Sequence, residues 1–185
     1  MISRGSGRKA ILMLHGRGAD AEDIIGISRF FDAKCYAFTA EGNAWYPAPF
    51  MQPKKSNDPF ISNNLDKINE VISNLKKEHD EVFLLGFSQG ACLALEYGAR
   101  FDDVSGVIAF SGGFIGSDDE LPSSFLTQKA VICCSFNDPF IPLKRAEASA
   151  DICKRGGAVV KTNFYEGATH TITNKDIELA KTIFD

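Results

Sequence analysis

Short apolar runs alternate with helical patterns from one end of this chain to the other, and that alternation narrows the fold more than any other feature. Lys9–Leu14, Cys35–Phe38, Glu81–Leu85, Val104–Phe110, Ala130–Ser135 and Val159–Phe164 read as six strands. They are apolar at consecutive positions, as strands covered by helices on both faces must be. Between the second and third, Ile61, Leu65, Ile68, Ile72 and Leu75 recur at spacings of four and three, which marks a helix from about Pro59 to Lys77. Asp58 is its expected N-cap and Pro59 its first helical residue. Further helices are expected over Ala21–Phe31, Ser88–Arg100, Pro142–Arg155 and Asn174–Phe184, with Gly156-Gly157 stopping the fourth. Strict alternation of this kind gives a doubly wound, mostly parallel α/β sheet of about six strands, which binds ligands at the carboxyl ends of its strands.

The 185 residues suffice for one domain, read as spanning 1–185. A net charge of −4 argues against nucleic acid as a partner, because that binding needs many Lys/Arg–phosphate contacts. The basic pairs Lys54-Lys55, Lys76-Lys77 and Lys144-Arg145 read as solvated surface. Five cysteines, mostly inside apolar runs, fit small buried hydrophobes in a reducing compartment. Cys133 and Cys134 would face opposite sides of a strand, which disfavours a shared metal. The apolar stretch Ala10–Leu14 is too short for a secretion-signal core, and no segment approaches a membrane span. A soluble cytoplasmic protein, with a homodimer left open, is the expectation.

Chemistry concentrates at Gly86-Phe87-Ser88-Gln89-Gly90. This Gly-x-Ser-x-Gly stands between an apolar strand and an Ala-rich helix, the context in which a tight turn exposes a nucleophilic serine. A serine hydroxyl needs a base, and the base needs a carboxylate to orient it. In this kind of fold the order along the chain is Ser, acid, His. His15 and His79 precede Ser88, so His170 is the one histidine in position, directly after the last strand. Asp138, after the fifth strand, is the favoured acid; Asp118, Asp119 and Glu120, after the fourth, are its rivals.

An acyl-transfer site also needs amide donors for the developing oxyanion. The residue after the nucleophile and the loop after the first strand nominate the backbone N–H groups of Gln89 and Arg17. The same loop allows a rival reading. Gly16-Arg17-Gly18-Ala19-Asp20-Ala21 fits a Gly-x-Gly-x-x-Gly/Ala dinucleotide fingerprint, with Glu41 downstream for a ribose. Asp20, Glu22 and Asp23 count against it, since they crowd the helix start where a pyrophosphate would sit. Trp45, Tyr46 and Phe50, on the long connection Ala40–Asp58, with Phe114 and Phe140, are the expected apolar wall of a substrate pocket. Local packing of that loop explains the same composition.

His15-Gly16-Arg17-Gly18-Ala19-Asp20, Trp45-Tyr46-Pro47, Gly86 to Gly90, Asn137-Asp138-Pro139-Phe140-Ile141-Pro142 and Gly167 to His170 together resemble the phospholipase/carboxylesterase family of α/β hydrolases. That family includes acyl-protein thioesterases and short bacterial carboxylesterases; Trp45-Tyr46-Pro47 is most similar to the small bacterial members. The resemblance implies a cofactor-free serine esterase with triad Ser88, Asp138 and His170 and oxyanion donors at Arg17 and Gln89. Its substrate would be a small-molecule carboxylic ester of small or medium acyl chain, with thioesters and lysophospholipids as alternatives. Three departures stand out. The N-terminal antiparallel hairpin of larger relatives is expected to be missing, Ser135-Phe136 stands where many have His-Gly, and Gly167-Ala168-Thr169-His170 where many have Gly-Met-Gly-His.

Overall fold

In the computed structural model, residues 1–184 are described. Seven strands form one sheet: β1 (Ile2–Arg4), β2 (Lys9–Leu14), β3 (Lys34–Ala37), β4 (Glu81–Phe87), β5 (Gly106–Phe110), β6 (Lys129–Ser135) and β7 (Val159–Tyr165), in the order β1-β3-β2-β4-β5-β6-β7. All neighbours run parallel except β1, which lies antiparallel on β3 with Ile2 opposite Ala37 and Arg4 opposite Cys35. Six of these strands are the expected ones. The seventh, β1, is too short to show a hydrophobic pattern. It does not form a hairpin with the strand that follows it; it adds one antiparallel edge.

The alternation of side chains along each strand feeds two separate cores. Ala10, Leu12 and Leu14 pack with Leu84, Ala109, Ile132 and Cys134 on one face. Ile11 and Met13 pack with Phe83, Leu85, Ile108, Phe110 and Cys133 on the other. This is why every central strand is apolar at successive positions, and it sends Cys133 and Cys134 to opposite faces. Helices α2 (Phe60–Leu75), α3 (Gln89–Arg100) and α4 (Leu143–Arg155) bury their apolar stripes in the first core. Helices α1 (Ala21–Ile25) and α5 (Asn174–Lys181) cover the second.

Several boundaries differ from expectation for local reasons. The helix expected over Ala21–Phe31 is α1 followed by a tighter 3₁₀ segment, Gly26–Phe30, because Gly26 starts where the α geometry ends. Asp58 does not cap α2: Pro59 is the flanking residue and Asp58 instead accepts from the Ser62 hydroxyl at 3.3 Å. The Gly156-Gly157 stop works through Gly157, whose φ of 93° is one that residues with a Cβ rarely adopt. No helix among the described residues is long and apolar enough to cross a membrane.

Two of the basic pairs are not wholly surface. Arg145 is buried, with Nη1 donating to the carbonyls of Phe114 and Gly116 at 2.8 Å each and Nη2 to Asp118 Oδ1 at 2.6 Å. Lys54 reaches the buried carboxylate of Glu96 at 3.1 Å, while Glu96 Oε1 accepts from the Ile115 amide at 3.0 Å. A buried charge persists only when paired. These pairs anchor both long connections, 38–59 and 111–128, to α3 and α4.

Candidate active site

Strand β4 ends at Phe87 and α3 begins at Gln89, so Ser88 alone makes the turn, with φ 52° and ψ −117°. That backbone is strained for any residue with a Cβ, and it persists only because its surroundings hold it. The Ser88 amide donates to Phe110 O at 2.9 Å, and Ser88 O accepts from the Cys92 amide at 3.0 Å. The flanking glycines allow the crossing. A Cβ on Gly86 would lie 2.2 Å from Gly90 O, and one on Gly90 would lie 2.3 Å from Leu14 O.

The Ser88 hydroxyl sits 2.8 Å from His170 Nε2. On the other side of the ring, Nδ1 donates to Asp138 Oδ2 at 2.8 Å and to Oδ1 at 3.0 Å. Asp138 Oδ1 also accepts from the amides of Phe140 and Ile141 at 2.9 and 3.0 Å. The carboxylate is fully buried and the imidazole 15% exposed. With the Nδ1 proton directed at a carboxylate, Nε2 keeps its lone pair for the serine hydroxyl. Phe87 and Phe140 each stand 4.9 Å from the imidazole, centroid to centroid, and hold its plane. The rival acids lie elsewhere. Asp118 pairs with Arg145, and Glu120 accepts from the Lys54 amide and from Ser117.

Beside Ser88 opens a cavity of about 750 Å³ at the carboxyl ends of the strands, lined by residues that include Gly16, Arg17, Tyr46, Phe50, Gln89 and Phe140. Arg17 and Gln89 therefore stand next to the serine, as the sequence order suggests. Two expected wall residues do not line this cavity. Trp45 is fully buried against His15 and Phe38, with Nε1 donating to His15 O at 2.8 Å. Phe114 is buried against Phe125, because the chain from Gly112 to Phe114 runs tightly over Ala91 and Arg145. Tyr46 lines the cavity but is itself almost wholly buried, and burial holds its phenol well above the ordinary value. Phe140 is 67% exposed at the mouth.

His15 has a part that chain order concealed. Its Nε2 accepts from the Ala40 amide at 3.0 Å, so Nδ1 carries the proton toward Gly16 O at 2.7 Å. Burial lowers its basicity, which keeps the ring neutral in that arrangement. Gln89 completes the support: its Oε1 accepts from the Trp45 amide at 2.8 Å and its Nε2 donates to Tyr46 O at 2.7 Å. The pairing of His15-Gly16 with Trp45-Tyr46 across thirty residues was the available sequence signal.

The dinucleotide reading fails on the same loop. The Gly18 amide is taken by Asn43 O at 2.7 Å, and Asp20 and Asp23 cap each other at the start of a five-residue helix. The donors a pyrophosphate needs are already occupied, one by a carbonyl and two by carboxylates.

The sequence model of the phospholipase/carboxylesterase family matches residues 3–184. The fold is similar to the crystal structure of a phospholipase/carboxylesterase from Dyadobacter fermentans. The two are 35% identical with a TM-score of 0.89, over 100% of this chain and 95% of that one. Carboxylesterases from Bacillus cereus (17% identical, TM-score 0.81, 100% of this chain and 92% of that) and Mesorhizobium loti (19%, 0.80, 97% and 90%) share the fold. A family match over nearly the whole chain, joined to a relative above 30% identity, makes this an ester hydrolase of the phospholipase/carboxylesterase family.

Proposed function

We propose that the protein hydrolyses small-molecule carboxylic esters of small or medium acyl chain through an acyl-enzyme on Ser88. The observation that carries this reading is the unbroken relay from Ser88 Oγ through the His170 ring to the buried Asp138 carboxylate. His170 Nε2 takes the hydroxyl proton as Ser88 Oγ attacks the ester carbonyl, and Asp138 steadies the imidazolium that forms. The amides of Arg17 and Gln89 hold the oxyanion, a contribution worth roughly a hundred- to thousandfold per donor. His170 returns the proton to the departing alkoxide. It then activates water, which attacks the acyl carbonyl and releases Ser88. No cofactor enters this scheme. The walls formed by Tyr46, Phe50 and Phe140 suit an acyl chain. Five free buried thiols favour a cytoplasmic setting.

Ser88→Ala should remain folded, lose p-nitrophenyl butyrate turnover and lose fluorophosphonate labelling. Retained turnover in that variant overturns the reading. A series of p-nitrophenyl esters beside matching acyl-thioesters locates the substrate: highest kcat/KM on short or medium oxygen esters is expected, and a preference for thioesters or long chains would instead select a thioesterase or lysophospholipase.

A further inference from the structure

Apart from Ser88, Gln89 and His170, the cavity beside Ser88 is lined by apolar side chains and one arginine. Among the described residues, Arg17 is the single permanently charged one that lines it, and no carboxylate does. Two other cations at the long loops are paired: Lys54 with Glu96, Arg145 with Asp118. Arg17 makes no ion pair within 4.0 Å among the described residues.

Its hydrogen bonds are equally one-sided. Nη2 donates to Tyr46 O at 2.6 Å, to Pro47 O at 3.0 Å and to Ala48 O at 3.4 Å. Nε and Nη1 have no acceptor among the described residues. Nη2 by itself thus ties the loop to the 46–48 segment, and on this exposed residue the remaining edge of the fork meets no protein acceptor among the described residues. A guanidinium carries its donors in a plane that matches a carboxylate, and such charge-assisted pairs are stronger than neutral ones. The protein as a whole is anionic, with a net charge of −4. An anionic substrate would meet general repulsion and one local attraction, at the cavity that holds Ser88.

We infer that the preferred substrates are esters carrying a carboxylate besides the scissile ester, and that the Arg17 side chain is the group that binds it. This rests on the proposed hydrolase function and narrows it to a substrate class. Arg17 then has two tasks: its amide faces the reacting carbonyl, and its side chain selects the molecule that carries it.

Two matched pairs test the inference, each rate corrected for uncatalysed hydrolysis. Mono-p-nitrophenyl adipate against p-nitrophenyl hexanoate places the charge on the acyl side. 4-Acetoxybenzoate against its methyl ester places it on the leaving group. In at least one pair the anion should be favoured about tenfold or more in kcat/KM, the size of a charged hydrogen bond. That preference should shrink toward unity in 1 M salt, which screens exposed charge. Arg17→Gln keeps a donor for Tyr46 O and removes the charge, so the anion-to-neutral ratio should fall to about one, whatever loss both substrates share. Arg17→Lys should keep part of the ratio through its charge, and less than the parent because an ammonium cannot pair with both carboxylate oxygens in one plane. Equal or lower rates for the anion in both pairs, or an unchanged ratio in Arg17→Gln, overturn the inference while leaving an active hydrolase. Absence of any ester turnover and of Ser88 labelling overturns the hydrolase function itself, and this inference with it.

Discussion

The Ser135 hydroxyl donates to Thr169 O at 2.7 Å, which sews the end of β6, three residues before Asp138, to the loop that carries His170. The same two segments are joined by the Phe136 amide on Tyr165 O at 2.8 Å and the Asn137 amide on Gly167 O at 2.9 Å. Asp138 and His170 come from different connections, and these bonds set their separation. Ser135→Ala removes the one that stands nearest to His170. It should cost about 1 kcal/mol of stability, the net value of one hydrogen bond. A drop in kcat on the order of tenfold is expected with KM little changed, because small misalignment acts on the transition state. Steady-state kinetics and urea melts check both.

Gly90→Ala should be among the most damaging single substitutions. The new Cβ would meet Leu14 O at 2.3 Å and His15 O at 2.6 Å, both backbone atoms of the central strand and its loop, which cannot move aside singly. A loss of about 3 kcal/mol or more is expected from such overpacking. Calorimetry should show a lowered Tm or no folded protein. By contrast a Cβ at Gly18 meets nothing within 4 Å, although its φ of 80° still disfavours one.

Acid should loosen the loop after β2 through His15. Burial lowers the folded-state pKa of this ring below its ordinary value of 6.5. The unfolded chain therefore binds the proton more readily, so the contribution of neutral His15 is fully present above 6.5 and is lost as pH falls below it. His15→Asn should be less stable than the parent at pH 8. Its stability should also fall less steeply between pH 6.5 and 5. Urea midpoints measured across that range test the sign, and equal slopes would refute it.

The thiols should be inert in the folded protein. All five cysteines are buried, and burial pushes Cys35, Cys134 and Cys153 up to about 12 and Cys92 up to about 11. Iodoacetamide at pH 8 requires thiolate. Mass spectrometry should find negligible alkylation of the native protein and complete alkylation in denaturant. Of the five, Cys92 should react first if any does, because it alone lines the cavity.

Much of this molecule was determined by local pattern. Strands buried on both faces are apolar at successive positions, which made β2, β4, β5 and β6 plain, as is the helix stripe from Ile61 to Leu75. β3 is buried only at alternate positions, and the edge strand β7 buries none of its residues although its ends are apolar. The Gly86–Gly90 turn and the order of Ser88, Asp138 and His170 restrict the catalytic candidates, because in such a sheet nucleophile, acid and base follow successive strands in that order. Tertiary structure alone decided the rest. Trp45 and Tyr46 are adjacent in sequence, yet one is sealed behind His15 and the other lines the cavity. Phe114 belongs to the core because the chain threads between Ala91 and Arg145, and Arg145 is buried because two carbonyls and Asp118 meet it there. Each of these depends on which partner a side chain finds across many intervening residues, and periodicity carries no record of that. The free edge of the Arg17 guanidinium is of the same kind. The sequence places an arginine in the loop after the first strand; only the folded protein leaves it without a carboxylate partner among the described residues.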